Sequence, residues 1–266
     1  MLVQLDLCSG VGAGFPLASL ITGGFELVGL CEWDEYCRDI LAKRFKVEVL
    51  NDIKNCDWGS WQQEQNVGID IITASPPCQP FSLQGKRKGA GDERNCFGAV
   101  LKALSILQPK FFAIENVPGL LTCPYFPGDP IGSYFSNLLW SLQSCGYDAQ
   151  WLCVGSGHFG APFIRERLLL VGVSQRLKLD WESATPWTEQ VRSTVEETRG
   201  FREARGIKSP IYRENLQSAV GLDESPGIKS GNGIIRARRA ALGNCLDPRV
   251  ASIALRRVLY LNSLCK

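Results

Sequence analysis

Histidine is almost missing from this chain: His158 is the single example in 266 residues. The 11 cysteines do not compensate as metal ligands, because they are scattered and no Cys-x-x-Cys pair occurs. Zinc sites draw on clustered Cys and His, so no metal centre is expected, and His158 reads as structural. Long apolar runs are missing too; none could span a bilayer, so no membrane partner is expected. Met1 leads straight into Leu2-Val3-Gln4-Leu5 with no signal peptide. The expected location is therefore cytoplasmic (or nucleoid-associated), where most thiols stay reduced. On this reading Cys31, Cys145 and Cys153 are core residues.

No excess of one charge is visible overall, since the formal net charge is +2. The chain is nonetheless asymmetric. Residues 1–159 carry 11 Lys and Arg against 16 Asp and Glu, whereas residues 160–266 carry 18 against 11. An acidic core beside a basic face suits a polyanion, and a plain solvated basic surface suits the same numbers.

What the sequence has is alternation. Strand-like Leu2–Leu7, Phe25–Leu30, Val47–Leu50, Ile69–Ala74 and the Phe111 run interleave with helical Phe15–Thr22, Glu35–Phe45 and Phe97–Leu107. The helix Tyr134–Cys145 and the paired runs Ala149–Val154 and Arg167–Val173 follow. This predicts an α/β fold with a doubly wound, Rossmann-like, mostly parallel sheet and some antiparallel content near its end. Residues 174–235, rich in Glu, Arg, Ser, Thr, Pro and Gly, read as a small irregular subdomain. Regularity returns at Arg236–Leu242 and in a helix Val250–Leu261.

Chemistry concentrates at strand ends. Pro76-Pro77-Cys78-Gln79-Pro80-Phe81-Ser82 follows the Ile69–Ala74 run, and its three prolines fix backbone φ angles so that the loop aims one thiol. Glu115 ends the Phe111 run, which brings an acid to a comparable strand end and suggests covalent catalysis with proton transfer. Asp6-Leu7-Cys8-Ser9-Gly10-Val11-Gly12-Ala13-Gly14 is a glycine loop between the first strand and helix, where backbone approaches a ligand. It lacks the Lys-Ser/Thr of a P-loop, which favours a nucleoside without a triphosphate. Glu32 ends the second strand, where such folds bind ribose hydroxyls, and Asp52 ends the third. Helix capping is the alternative for both acids.

Taken in order, Asp6–Gly12, Glu32-Trp33-Asp34, Asp52-Ile53, Pro76–Ser82, Glu115-Asn116-Val117, Arg165-Glu166-Arg167 and Leu242-Gly243-Asn244 resemble the DNA cytosine-5 methyltransferases. The resemblance covers about residues 2–173 and 236–262. It implies S-adenosylmethionine as cofactor, double-stranded DNA as partner and a cytosine flipped out of the duplex. Cys78 would add to carbon 6 of the base, while Glu115 protonates or hydrogen-bonds ring nitrogen 3. Arg167 would contact the cytosine oxygen and Arg165 a phosphate or the closing loop, unless the two arginines only pair with Glu166 on the surface. For the cofactor the resemblance implies Asp6 and Cys8 among the binding residues, Gly10 and Gly12 close to the methionine portion and Glu32 on the ribose. It puts Trp33 on the adenine face (or simply in the core), Asp52 on the adenine amino group, Ile53 in apolar contact and Asn244 closing the pocket. Ser82, Gln84, Lys86, Arg87, Lys88 and Arg94 would meet DNA. The basic stretch Gln84–Asp92 would act as a mobile closing loop, or else be a solvated charge run.

Three departures from the family stand out. Cys8 replaces an aromatic residue that packs on the cofactor. Ala161-Pro162-Phe163-Ile164 replaces the usual Pro-Gln before the arginines. The segment between Val173 and Arg236 is short and has no match to the family's Arg-Glu motif, Leu216–Gly227 being the nearest candidate. The resemblance thus divides the chain into a catalytic and cofactor-binding part (1–173), a small target-recognition region (174–235) and a return segment (236–266). Arg192, Arg199, Arg202, Arg205, Lys208 and Arg213 could contact phosphate there, which implies a short target, low specificity or a protein partner that adds specificity. A monomer is expected. Two other functions stay open, a tRNA cytosine-5 methyltransferase on the same core and a non-catalytic DNA-binding relative.

Overall fold

The structure, a computed structural model, describes residues 1–160, 164–204 and 245–265, with side chains as far as Glu197 in the helix that ends at Ala204. Ala161-Pro162-Phe163, the side chains of Arg199 and Arg202, the residues Arg205, Lys208 and Arg213, Leu216–Gly227, the Arg236–Leu242 run and Leu242-Gly243-Asn244 lie outside what the structure describes.

The described strands form one seven-stranded sheet in the order β3-β2-β1-β4-β5-β7-β6. These are β1 (Leu2–Leu7), β2 (Phe25–Cys31), β3 (Glu48–Leu50), β4 (Ile71–Ala74), β5 (Phe111–Asn116), β6 (Tyr147–Gly155) and β7 (Glu166–Ser174). β1 to β5 run parallel, and β7 is antiparallel to both β5 and β6. The strand order reverses between β1 and β4, so a crevice opens beyond their C-terminal ends. The glycine loop follows β1 and the Cys78 loop follows β4, one on each side of that crevice. β4 and β5 are buried at every position, the reason they read as continuous apolar runs.

Helices cover both faces. On one side lie α3 (Trp58–Gln65), α4 (Phe97–Leu107) and α5 (Ser133–Ser144), packed through Trp58, Phe97, Leu104, Phe135 and Leu142. On the other lie α1 (Phe15–Thr22), α6 (Trp187–Ala204) and α7 (Pro248–Ser263), packed through Phe15, Trp187, Val250, Leu255 and Val258. α2 (Glu35–Arg44) closes on the glycine loop through Tyr36 and Ile40. Local chemistry sets the helix starts: Asp34, Asp57 and Asp247 each accept a hydrogen bond from a first-turn N–H, and Pro248 adds its preset φ to α7.

Three expectations change. α3 was not foreseen; its segment offers only Trp58 and Trp61 as apolar residues, too few to show a period. Those two indoles meet edge to face at 6.1 Å, and Trp61 closes over Gly29 of β2 so tightly that a Cβ there would lie 2.9 Å from its ring. The stretch expected to be irregular contains α6, which seats Trp187 in the α7 core and holds the buried Arg257 through Gln190 Oε1 at 2.9 Å. Cys153 is exposed, because β6 is the sheet edge and the residue alternates outward.

β5 and β7 fit at one tight point. Gly172 is the register partner of Phe112, and a Cβ there would come within 1.9 Å of the Phe112 ring. Gly172→Ala is therefore expected to lower unfolding free energy by about 1–3 kcal/mol in urea denaturation. Combining it with Phe112→Leu should be less damaging than the two single changes added together.

Candidate active site

Cys78, Glu115 and Arg167 come together because β4 and β5 end, and the antiparallel β7 begins, at one edge of the sheet. Ala74 pairs with Ile114 across β4 and β5, so Glu115 is one residue past that register and the Cys78 loop begins beside it. Glu115 pairs with Leu169 of β7; Arg167, two residues away, shares its face. Arg167 Nε meets Glu115 Oε1 at 2.6 Å with both side chains largely buried, and its Nη1 donates to the Glu166 carbonyl at 2.8 Å. For Arg167 the alternative, a surface pairing with the Glu166 carboxylate, gives way to a buried pairing with Glu115.

Burial pushes the Glu115 carboxyl up, opposed by the charges of Arg167 and Arg165. Burial also raises the Cys78 thiol, reinforced by Glu115 and opposed by Arg167 and Arg165. Both groups thus hold protons more tightly than in water. Arg165 is drawn down by burial and by the like charge of Arg167.

The loop is held by a residue to which sequence reasoning gave no role. Asn116, 1% exposed, donates Nδ2–H to the Pro76 carbonyl at 3.0 Å, and its Oδ1 accepts from Val117 N–H at 2.9 Å. It thereby ties the thiol loop to the strand that bears the acid. Its place beside Glu115 in the motif was the available signal.

The second cluster lies around the glycine loop. Gly10 has φ +55° and a Cβ there would meet nothing within 4 Å, so the backbone faces open space. Gly12 has φ +75° for a different reason: a Cβ would lie 2.4 Å from the Phe45 ring. Glu32 is buried with its pKa raised by that burial, and it accepts from Gly10 N–H at 2.7 Å and Asp34 N–H at 2.9 Å. Trp33, with 72% of its surface exposed, is a projecting indole rather than a core residue. Asp52 accepts from Lys54 N–H at 3.0 Å, while Ile53 is buried beside it. Arg38, unforeseen, ties this wall together by donating to the Glu32 carbonyl, the Trp33 carbonyl and Asn51 Oδ1. Cys8 is left-handed at φ +54°. Asp6 points inward, taking the Thr73 hydroxyl at 2.5 Å, and Thr73 in turn accepts from Gln4.

Of the residues expected to meet DNA, Gln84, Lys86 and Lys88 are exposed, and Ser82 accepts from Gln84 N–H at 3.3 Å. Arg87 instead donates to the Gly119 carbonyl at 3.2 Å and to Thr122 Oγ1 at 2.9 Å. Arg94 pairs with Asp92 at 2.7 Å, which holds that carboxyl down at about 2. Among the described residues, no group of three His, Cys, Asp or Glu is placed to hold a metal ion, and no helix is long and apolar enough to cross a membrane.

An open, mostly parallel sheet thus carries a thiol, an acid and a glycine loop around one crevice. Comparison with known proteins makes this specific. The profile of the C-5 cytosine-specific DNA methylases matches residues 2–218, and the chain belongs to that family. It is 33% identical over 234 residues to the type II methyltransferase M.NgoBI of Neisseria gonorrhoeae, covering 86% of this chain and 68% of that one. Against M.NaeI of Lentzea aerocolonigenes the identity is 28% over 246 residues, covering 89% of this chain and 56% of the relative. The chain thus spans roughly half to two thirds of the length of these curated relatives. The crystal structure of S. pombe Dnmt2 methyltransferase superposes with TM-score 0.63 at 18% identity, covering 97% of this chain and 98% of that one, a likeness of fold.

Burial raises Asp6 from the usual carboxylate range to about 7, so the folded chain binds this proton more tightly than the unfolded one. Stability from this group is full below the unfolded pKa and falls as pH rises toward 7, by on the order of 4 kcal/mol. Asp6→Asn should remove that slope. Denaturant titrations at pH 5 and pH 8 are expected to show a markedly smaller stability difference for the variant than for the parent.

Proposed function

We propose that this chain transfers a methyl group from S-adenosylmethionine to carbon 5 of cytosine in DNA, with Cys78 as nucleophile and Glu115 as acid. The observation that carries the reading is the convergence of a loop-held thiol with a buried, arginine-paired carboxyl at adjoining strand ends. Family membership and two relatives whose names are those of type II methyltransferases support it.

Cytosine carbon 5 is too electron-poor to attack a methyl donor unaided. Addition of the Cys78 sulfur to carbon 6 turns the ring into an enamine-like nucleophile. Because the thiol is held protonated in the resting site, it must lose its proton as the base enters, and Arg167 and Arg165 supply the favourable field. Glu115 gives its proton or a hydrogen bond to ring nitrogen 3, so negative charge does not build on the ring. Arg167, bound to Glu115 through Nε, aims that carboxyl, and in this reading its guanidinium also contacts the cytosine oxygen. Asn116 fixes the thiol loop against the same strand. After methylation the carbon 5 proton leaves, the bond to Cys78 Sγ breaks and the free thiol returns. A stacked cytosine cannot meet the thiol, so the base leaves the duplex, with Gln84, Lys86 and Lys88 available to its phosphates.

The glycine-loop cluster fits an adenosine-containing donor. Trp33 offers an exposed aromatic face, Glu32 a held carboxylate with acceptor capacity for hydroxyls, and Gly10 an approachable backbone. Asp52 and Ile53 flank the same wall. S-adenosylmethionine, when bound there, supplies an electrophilic methyl group. We assign residues 1–173 to catalysis and cofactor binding, 174–235 to target recognition and 236–266 to closure of the pocket, with DNA placing the protein at the nucleoid.

Labelled donor with unmethylated duplex DNA, followed by bisulfite mapping, tests this directly. Methyl transfer to DNA is expected, lost in Cys78→Ala and reduced about 100-fold or more in Glu115→Gln. Transfer to tRNA alone would move the substrate to RNA. Donor binding without transfer to either would point to a non-catalytic relative.

A further inference from the structure

A pair of touching thiols, Cys31 and Cys56, flanks the nucleoside pocket, and the chemistry above does not use it. Cys31, the last residue of β2, lies next to Glu32 in sequence; its Sγ is 3.9 Å from that of Cys56, four residues past Asp52. Each thiol also leans on the segment between them. Cys31 donates to the Asn51 carbonyl at 2.9 Å and Cys56 to the Asp52 carbonyl at 3.4 Å. These contacts hold the turn that carries Asp52 and Ile53 against the end of β2.

We propose that Cys31 and Cys56 form an oxidation site: hydroperoxide converts them to a disulfide that pulls the Asp52 turn toward β2 and weakens methyl-donor binding. This rests on the pocket being the donor site. Cys56 is the half-exposed member and Cys31 the buried one, so Cys56 meets the peroxide first. Its thiolate bonds to one peroxide oxygen, the O–O bond breaks, and water leaves to give a sulfenic acid. The buried Cys31 sulfur then displaces hydroxide, which leaves as water with the Cys31 proton. Two thiols have lost two electrons and two protons, and one hydrogen peroxide has become two waters. A disulfide holds its sulfurs at about 2.05 Å, so the 3.9 Å contact must shorten by nearly half. Both thiol-to-carbonyl hydrogen bonds disappear in the same event, and Asp52 and Ile53 shift relative to Glu32.

The test uses full-length Cys78→Ala protein, which removes the competing thiol without relying on activity. Reduced and peroxide-treated samples are compared by non-reducing peptide mapping and by calorimetric titration with S-adenosylmethionine. A Cys31–Cys56 peptide with a Kd raised at least tenfold, restored by dithiothreitol and absent when Cys56→Ser is added, is the expected result. Three outcomes would overturn the proposal: both thiols free after oxidation, the disulfide without loss of affinity, or the same loss in the Cys56→Ser protein. Reduced protein that fails to bind the donor overturns the link through the pocket reading itself, and the peptide map tells that failure apart from failure of the thiol pair.

Discussion

Burial of the Glu115 carboxyl is the constraint around which this end of the molecule is built. A carboxyl taken out of water needs a partner, and the partner here must come from an adjacent strand. β7 supplies it by running antiparallel to β5, so that Arg167 arrives on the face of Glu115 at 2.6 Å. A parallel strand would enter the sheet from the opposite end and carry Arg167 away. The antiparallel turn in an otherwise parallel sheet is thus tied to the chemistry of one acid. The same strand end carries Asn116, whose amide pins Pro76, two residues before the thiol. Acid, guanidinium and thiol are therefore positioned by one strand and its two neighbours.

Across the crevice the glycine loop rests on a different support. Ser19 donates to Gln4 at 2.6 Å, Gln4 to Thr73, and Thr73 to Asp6, forming a buried chain that crosses from α1 through β1 to β4. A polar network this deep stabilises only when every member is satisfied, and it fixes β1 against β4 at the point where the strand order reverses. Above it, Glu32 holds the loop by accepting from Gly10 N–H. The two clusters thus face each other over one crevice, which suits a reaction that joins a base on one side to a donor on the other.

Much of this was legible in the chain. Alternating apolar runs and turn residues gave the strands and most helices, and the prolines around Cys78 marked the thiol loop. Glu115 was legible because it closes a fully apolar strand. α3 was not, since two tryptophans in WGSWQQEQ make no period, and only the packing of Trp61 on Gly29 reveals the buried side. α6 was hidden by composition: its mean character is polar, and only tertiary packing of Trp187 reveals the buried side. Charge alone could not sort the basic loop. Lys86 and Lys88 stay exposed, whereas Arg87 and Arg94 are spent on Gly119, Thr122 and Asp92. Gly12 was read as a place for ligand approach, but the contact that demands glycine there comes from Phe45, a partner 33 residues away.

Trapping the covalent adduct tests the central claim most directly. A DNA duplex containing 5-fluorocytosine, incubated with the protein and S-adenosylmethionine, cannot release the enzyme after methylation because no carbon 5 proton is available to leave. Mass spectrometry of the digested complex is expected to find the modified nucleotide on the peptide that carries Cys78, at its sulfur. A stable adduct on any other residue, or methylated product released with no adduct, would contradict nucleophilic attack by Cys78.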